Sequence, residues 1–383
     1  NKEMKRKILS VLVATAMVTT LLAGCGAKTE EAAAPVEEAA VEEAAPVEEA
    51  AVEEAAPAEA AATEGEVGLI YLVSKGFQHQ FWQAVYQGAQ EEAAELGVEI
   101  KMEGPATESD IADQVQMLNN AVNQKPSAIG LAALDTEACL DGITAAMNAG
   151  IPIIGFDSGV ANAPEGAIFA SASTDNYAAG VLAAEETYKL IEAKLAAGTK
   201  VGVLSQDATG ESVLNRGFGF IDKMKELIEA KGLKVSVEGH AKFENKVDGA
   251  DVVIQVAVPA SVTAELMVVD AQNMLNDDSF IAIYGSNQGT AEALVTADEN
   301  MDKVGPDGIV GVGFDAGTVI KEAVRSGKLA GAITQDPLNM GRKTVELAVK
   351  AAKGEAVEDV DTGCQWYTAD NMDDENIAPN LYD

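Results

Sequence analysis

The chain has 383 residues, 48% hydrophobic by type but only 5% aromatic, which allows a large core and suggests two lobes rather than one. Lys and Arg total 26 against 62 Asp and Glu, and the formal net charge of -36 repels phosphate backbones and anionic headgroups, arguing against nucleic-acid binding. Three cysteines, spaced for neither a zinc site nor a disulfide framework, and two histidines leave little material for a metal centre or a Ser/His/Asp triad, so no cofactor and no metal are expected.

Met4 reads as the start, followed by the basic run Lys5-Arg6-Lys7 and an apolar stretch from Ile8 to Leu22. That stretch is short for a membrane span, which takes about 20 apolar residues, and fits the apolar region of a signal peptide. Leu22-Ala23-Gly24-Cys25 then resembles a bacterial lipobox, which makes Cys25 the expected lipidation site and residues 1–25 a lipoprotein signal peptide. The rival reading is a signal peptide with an incidental cysteine. Residues 26–66 are low in complexity, with the unit PVEEAAVEEAA starting at Pro35 and again at Pro46. Glu and Ala favour helix, but a proline in every unit interrupts it and the glutamates repel one another. This segment is expected to be a disordered tether.

From Val67 onward short apolar runs alternate with amphipathic helices. Strands are predicted at 67–73, 98–102, 128–133, 151–156 and 167–170, with helices over 80–96, 109–123 and 137–148 between them. Cys139 falls in the last of these helices and suits a small core residue. A second series follows: a helix over 177–195, a strand at 200–204, a helix over 213–230, then strands at 234–238, 280–285, 309–313 and 329–334. Such alternation gives an α/β fold of two doubly wound, parallel-sheet lobes. In open α/β sheets ligands bind beyond the carboxyl ends of strands. The residues there are Ser74-Lys75 through Trp82, Leu134-Asp135, Asp157-Ser158, Gln206-Asp207, Ser286-Asn287-Gln288, Phe314-Asp315 and Gln335-Asp336. Carboxylates and amides satisfy hydroxyls while flat rings cover apolar C–H faces, so the set suits a polyhydroxylated neutral ligand.

From about Val67 to its end the chain resembles the type I periplasmic binding proteins of the ribose/galactose class. Gln80-Phe81-Trp82 is similar to that family's aromatic pair at the start of the first helix, with His79 where an Asn often sits. Gly155-Phe156-Asp157 and Gly313-Phe314-Asp315 resemble its two Asp motifs, Asn215-Arg216-Gly217 its cleft Arg, Ser286-Asn287 its Asn site, and Phe243 an aromatic over the sugar's other face. Ser173-Thr174-Asp175-Asn176 and Gly331 to Pro337 resemble interlobe crossings, the second carrying a ligand-binding Gln335. The resemblance implies two lobes joined by a hinge, lobe 1 over 67–172 plus 336–355 and lobe 2 over 173–335 plus 356–383. Together with the strand-end residues Lys75 and Ser158 it gives an expected binding set of Lys75, His79, Phe81, Trp82, Asp157, Ser158, Arg216, Phe243, Asn287, Asp315 and Gln335. Ala132 stands where ribose binders have Asn, and Ser158 where they have Arg, which puts ribose itself in doubt. The segment 250–263 reads as inserted or diverged.

Several residues suit a second role. Asp157 and Asp315 suit helix caps as well as ligand binding; their matching positions in the two series favour the ligand. Arg216 suits a surface ion pair, and Phe81 and Trp82 suit a core, though adjacent aromatics do not both face one. Gly311, Gly313 and Gly317 have the wrong spacing for a dinucleotide loop. The function expected from all this is the extracytoplasmic, lipid-anchored solute-binding subunit of an ABC importer. It would act as a monomer, taking a small neutral sugar or polyol to a membrane permease and its ATPase subunits. The alternative is a sensor that presents the sugar-bound form to a membrane receptor. A transcription factor would need a helix-turn-helix where the tether lies, and an enzyme would need a nucleophile–base pair.

Overall fold

The computed structural model describes residues 67–383; the signal region, Cys25 and the Glu/Ala/Pro tether lie outside the described residues. The chain first makes β1 (Leu69–Val73), α1 (Gln80–Leu96), β2 (Glu99–Glu103), α2 (Ile111–Gln124), β3 (Ala128–Leu131), α3 (Leu140–Asn148), β4 (Ile153–Phe156) and β5 (Ile168–Ser173). It continues with α4 (Asn176–Ile191), β6 (Thr199–Leu204), α5 (Glu211–Ala230), β7 (Val235–Glu238), β8 (Val252–Ala257), α6 (Ala264–Leu275) and β9 (Phe280–Gly285). Then come α7 (Gln288–Asp298), β10 (Val310–Phe314), α8 (Thr318–Arg325), β11 (Leu329–Gln335), α9 (Pro337–Ala352), β12 (Val360–Asp361) and β13 (Cys364–Tyr367).

These strands build two sheets, one of six strands in the order β12-β5-β4-β3-β1-β2 and one of seven in the order β13-β11-β10-β9-β6-β8-β7. Pairing is parallel except where β13 runs antiparallel to β11. β1, β3, β4 and β10 are buried along almost their whole length, as apolar runs covered by helices on both faces must be. β2, Glu-Ile-Lys-Met-Glu, is partly exposed and sits at a sheet edge. Side-chain caps start some of the helices: Asp175 accepts from the Ala178 amide at α4, Thr263 from Leu266 at α6, and Asp336 from Asn339 at α9, whose first residue is Pro337.

The chain passes between the lobes three times, at β5 to α4, at β11 to α9, and between β12 and β13. α4 packs on the second sheet, burying Ala179, Ala183 and Ala184 against Val201, Val203 and Phe220. α9 returns to the first sheet, where Val345 and Ala348 join Ile70 and Leu72. The residues before the third passage stay with lobe 1, because β12 extends the first sheet beside β5; the change of lobe falls at Thr362 and Gly363, not near residue 355. The passages brace one another: the Thr362 amide donates to the Ser173 carbonyl at 3.0 Å, and Asp361 accepts from the Asp175 and Gly363 amides at 3.1 and 2.8 Å.

The segment 250–263 is not an irregular insertion. Residues 252–257 are β8, paired on both sides within the second sheet, with Val252, Ile254 and Val256 buried. The residues after it form the loop that leads into α6.

Within each lobe two helices meet at glycines. A Cβ at Gly180 of α4 would lie 2.2 Å from the Arg216 carbonyl of α5, and one at Gly219 of α5 would lie 2.1 Å from the Tyr177 carbonyl of α4. Only hydrogen side chains permit that approach. Gly88 of α1 and Gly341 of α9 make the equivalent contact in lobe 1. The approach fixes the helix starts that face the other lobe: Phe81 and Trp82 on α1, Arg216 on α5.

Candidate functional site

Strand order reverses between β1 and β3 in the first sheet and between β6 and β9 in the second, and the carboxyl ends there face each other across one cleft. Lys75 follows β1, Asp157 follows β4, Gln206 follows β6, Asn287 and Gln288 follow β9, and Asp315 follows β10; Gln335 ends β11. His79, Phe81 and Trp82 line the cleft from the start of α1, Ser212, Val213 and Arg216 from the first turns of α5.

The two strand-end aspartates share an unusual backbone. Asp157 has φ of 57° and Asp315 φ of 72°, in the left-handed region that side chains avoid at about 1–2 kcal/mol per residue. The Asp157 amide is held by the Ala172 carbonyl at 3.3 Å and the Asp315 amide by Ile333 at 2.6 Å. Strain of this kind is kept where surrounding structure over-determines it, often at ligand sites. Neither residue is the N-cap of the helix that follows it in sequence; Asp315 accepts instead from the first amide of α7, Gln288, at 3.0 Å.

The cleft is closed and its polar groups meet. The Gln335 amide donates to Asp315 at 2.6 Å, and the Arg216 guanidinium lies 4.0 Å from the same carboxylate. Arg216 is oriented by Asn176, which accepts from its Nε at 2.8 Å, and by the Phe314 ring 3.9 Å below. In lobe 1 Lys75 pairs with Asp157 at 3.5 Å and donates across the cleft to the Ser212 hydroxyl at 3.3 Å. Burial alone would lower the Lys75 ammonium, but the carboxylates of Asp157, Glu108 and Asp207 hold its pKa above the usual lysine value. Burial would likewise raise the Glu108 carboxyl, yet Lys75, His79 and two hydrogen-bond donors bring it below the usual carboxylate range. Those donors are the Trp82 indole at 2.8 Å and the Gln206 amide at 2.6 Å. The Trp82 ring stands edge-on to Phe81 and Phe156, with centroids 5.0 and 6.3 Å away.

Of the residues expected from sequence, Lys75, His79, Phe81, Trp82, Asp157, Arg216, Asn287, Asp315 and Gln335 come together in this cleft. Phe81 and Trp82 both line it, although both are also almost fully buried. Ser158 is beside the cleft rather than on its wall, where its hydroxyl accepts from the Ser212 amide at 3.3 Å. Phe243 is elsewhere. Its ring is buried in the lobe 2 core, 4.9 Å from Phe218 and over Gly217, because the loop after β7 folds back beneath α5. The cleft also holds residues outside the expected set. Gln206 and Gln288 stand at strand ends that the sequence pattern marks, and Ser212 and Val213 share the start of α5 with Arg216. Glu108 has no such signal, as it lies in the loop beyond β2, among polar residues.

Two α/β lobes, crossed three times by the chain and facing across a polar, aromatic cleft, define the two-lobed type I binding-protein architecture. Over residues 70–356 the sequence matches the periplasmic binding protein domain, and the chain belongs to that family. It is 26% identical over 290 residues to the ribose import binding protein of Escherichia coli (strain K12), covering 76% of this chain and 86% of that protein. Among solved structures it is similar to an ABC transporter, LacI family transcriptional regulator from Brachyspira murdochii, at 35% identity and a TM-score of 0.69 over 83% of this chain and 99% of that one. An ABC transporter solute binding protein from Agrobacterium vitis with bound D-fucose is 29% identical, with a TM-score of 0.69 over 82% of this chain and 100% of that one.

Proposed function

We propose that this protein is the extracytoplasmic substrate-binding subunit of an ABC importer, and that it captures a small neutral sugar or polyol between its lobes for delivery to a membrane permease and its ATPase subunits. The observation that carries this reading is the cleft itself. Aromatic rings from α1 meet carboxylates and amides from both sheets, the combination that recognises a ring of hydroxyls with apolar C–H faces. Three carboxylates, Glu108, Asp157 and Asp315, face two cations, Lys75 and Arg216, so the wall carries no positive excess to attract a phosphorylated or acidic sugar. The relatives named for ribose import and for bound D-fucose support the same ligand class. In this reading Asp157, Asp315, Asn287, Gln335, Arg216 and Lys75 read hydroxyls, Phe81 and Trp82 cover a ring face, and His79 closes the rim. The protein binds as a monomer and catalyses no reaction. Gene neighbours encoding a permease and an ATPase favour import; a neighbouring receptor without them favours the sensor alternative.

A titration with pentoses, hexoses and polyols tests the ligand class. The chain has two tryptophans, Trp82 in the cleft and Trp366 on β13. A bound sugar should change Trp82 emission, and Trp82→Phe should abolish most of the change while retaining binding through the remaining ring. A wild-type chain whose emission and melting temperature respond to no neutral sugar or polyol would overturn the proposal.

Cys25 is proposed to carry a diacylglycerol anchor, since two acyl chains give stable membrane attachment where one gives only marginal binding. Cys25→Ser should move the protein from the membrane fraction to the soluble one. Wild-type protein that is wholly soluble, with no lipid mass on its N-terminal peptide, would rule the anchor out.

A further inference from the structure

A chain of side-chain hydrogen bonds runs through the cleft from one lobe to the other, and its direction is fixed at one end. Asn287 caps α7 in a reciprocal box with Thr290: its Oδ1 accepts from the Thr290 amide at 3.2 Å and hydroxyl at 2.8 Å. With that oxygen committed, the Asn287 amide nitrogen points away from the helix and donates to Gln206 Oε1. Gln206 therefore presents its own nitrogen to the opposite lobe, where Glu108 Oε2 accepts at 2.6 Å. From lobe 1 the Trp82 indole, which is a donor only, reaches Glu108 Oε1 at 2.8 Å. Position 108 thus meets a donor at each end and must accept at both. A carboxylate does so; an amide does not.

We propose that Glu108 is a positioning residue that fastens the closed lobes and thereby sets ligand affinity. The inference rests on capture by lobe closure, as proposed above. It accounts for a buried carboxylate outside the strand-end pattern. Glu108 is 6% exposed and couples the ring that faces the ligand to the lobe that must close over it. Glu108→Gln turns one acceptor into a donor. Facing Trp82, the new amide collides with the indole; facing Gln206, it forces Gln206 to flip. A flipped Gln206 meets the Asn287 nitrogen, and Asn287 flips only by giving up the α7 cap. The conflict has no local solution in the closed form, whereas the open form separates Glu108 from Gln206 and removes it. A ligand binds with an affinity scaled by the fraction of competent, closed protein.

The test is a swap. In the Glu108→Gln, Gln206→Glu double variant the carboxylate now at position 206 accepts both from Asn287 and from the amide now at position 108. The oxygen of that amide accepts from Trp82, so every bond in the chain is restored with the charge moved across the interface. Small-angle scattering without sugar, then calorimetric titration with D-ribose, D-fucose and xylitol, should be run on wild type, both single variants and the double variant. Expected are a larger radius of gyration for Glu108→Gln and an affinity about ten- to hundredfold weaker, as for loss of one buried charge-assisted bond. The double variant should return to within about threefold of wild type, a recovery that simple structural damage would not produce. Unchanged radius and affinity in Glu108→Gln, or a double variant no better than the singles, would overturn the inference. Should Glu108→Gln fail to fold, Gln206→Met, which deletes the donor from lobe 2, must open the protein in its place. If wild type binds none of the three probes, scattering alone decides the clasp: equal radii throughout refute it, while the ligand class is decided by the wider sugar and polyol titration.

Discussion

Asp315→Asn should bind sugar about ten- to hundredfold more weakly than wild type and melt within a few degrees of it. The carboxylate accepts from the Gln335 amide and the Gln288 backbone and faces Arg216, so it is the acceptor around which the lobe 2 wall is arranged. Asn keeps the shape and tolerates the left-handed backbone found here, but it brings a donor into a ring of donors and loses the charge. Two companions separate backbone from chemistry. Asp315→Gly removes the carboxylate without strain, and Asp315→Ala removes it while leaving a side chain at φ of 72°, so Ala should be the less stable of the two by about 1 kcal/mol. Both should bind weakly. An Asp315→Asn protein that binds sugar like wild type would remove Asp315 from the binding set.

Gly219→Val should destabilise the fold by about 3 kcal/mol or more, at the upper end for overpacking, and should weaken ligand binding even under conditions where the protein remains folded. The obstacle is backbone rather than a side chain that turns aside: a Cβ at Gly219 would be 2.1 Å from the Tyr177 carbonyl. α4 and α5 must then move apart. Arg216 lies one turn before Gly219, with its carbonyl against Gly180, and its guanidinium depends on Asn176 at the start of α4. Separation therefore breaks the alignment of the cleft arginine. Gly219→Ala, with a smaller intrusion, should show both effects in milder form. Chemical denaturation with sugar titration at low denaturant measures them; a Gly219→Val protein as stable as wild type would show that the two helices have freedom to part.

Most strands were legible because they are buried on both faces and so read as unbroken apolar runs, as in Ile153–Phe156 and Val310–Phe314. β8 was not, although Val252 to Ala257 is an apolar run broken only by Gln255, because it follows β7 without the intervening helix that the strand–helix alternation leads one to expect. Strand ends carry most of the candidate site, so residues adjoining an apolar run were found: Asp157, Asn287, Asp315 and Gln335. Glu108 was missed because its importance lies in partners 26 and 98 residues away, and nothing within its own loop marks a carboxylate for burial. Phe243 erred in the opposite direction. An aromatic beyond a strand suits a cleft, but Gly217 leaves a slot in α5 that the ring fills, a complementarity visible only when both are placed.

The threading of the chain has a consequence for the order of folding. Lobe 2 runs unbroken from α4 to β11 and adds only the edge strand β13 and the segment after it, whereas lobe 1 needs α9 and β12 from the far end of the chain to cover one face of its sheet and complete its edge. Contacts between α1 and α9 join residues separated by the whole of lobe 2, so the loop they close is long and entropically slow to form. Lobe 2 can form all of its sheet but the β13 edge before those residues arrive, and gains Tyr367, Met372 and Ile377 in its core last. Lobe 1, although synthesised first, waits with Ile70, Leu72 and Ala89 uncovered until residues 337–361 arrive, and this half of the molecule is the one in need of protection from aggregation while it folds.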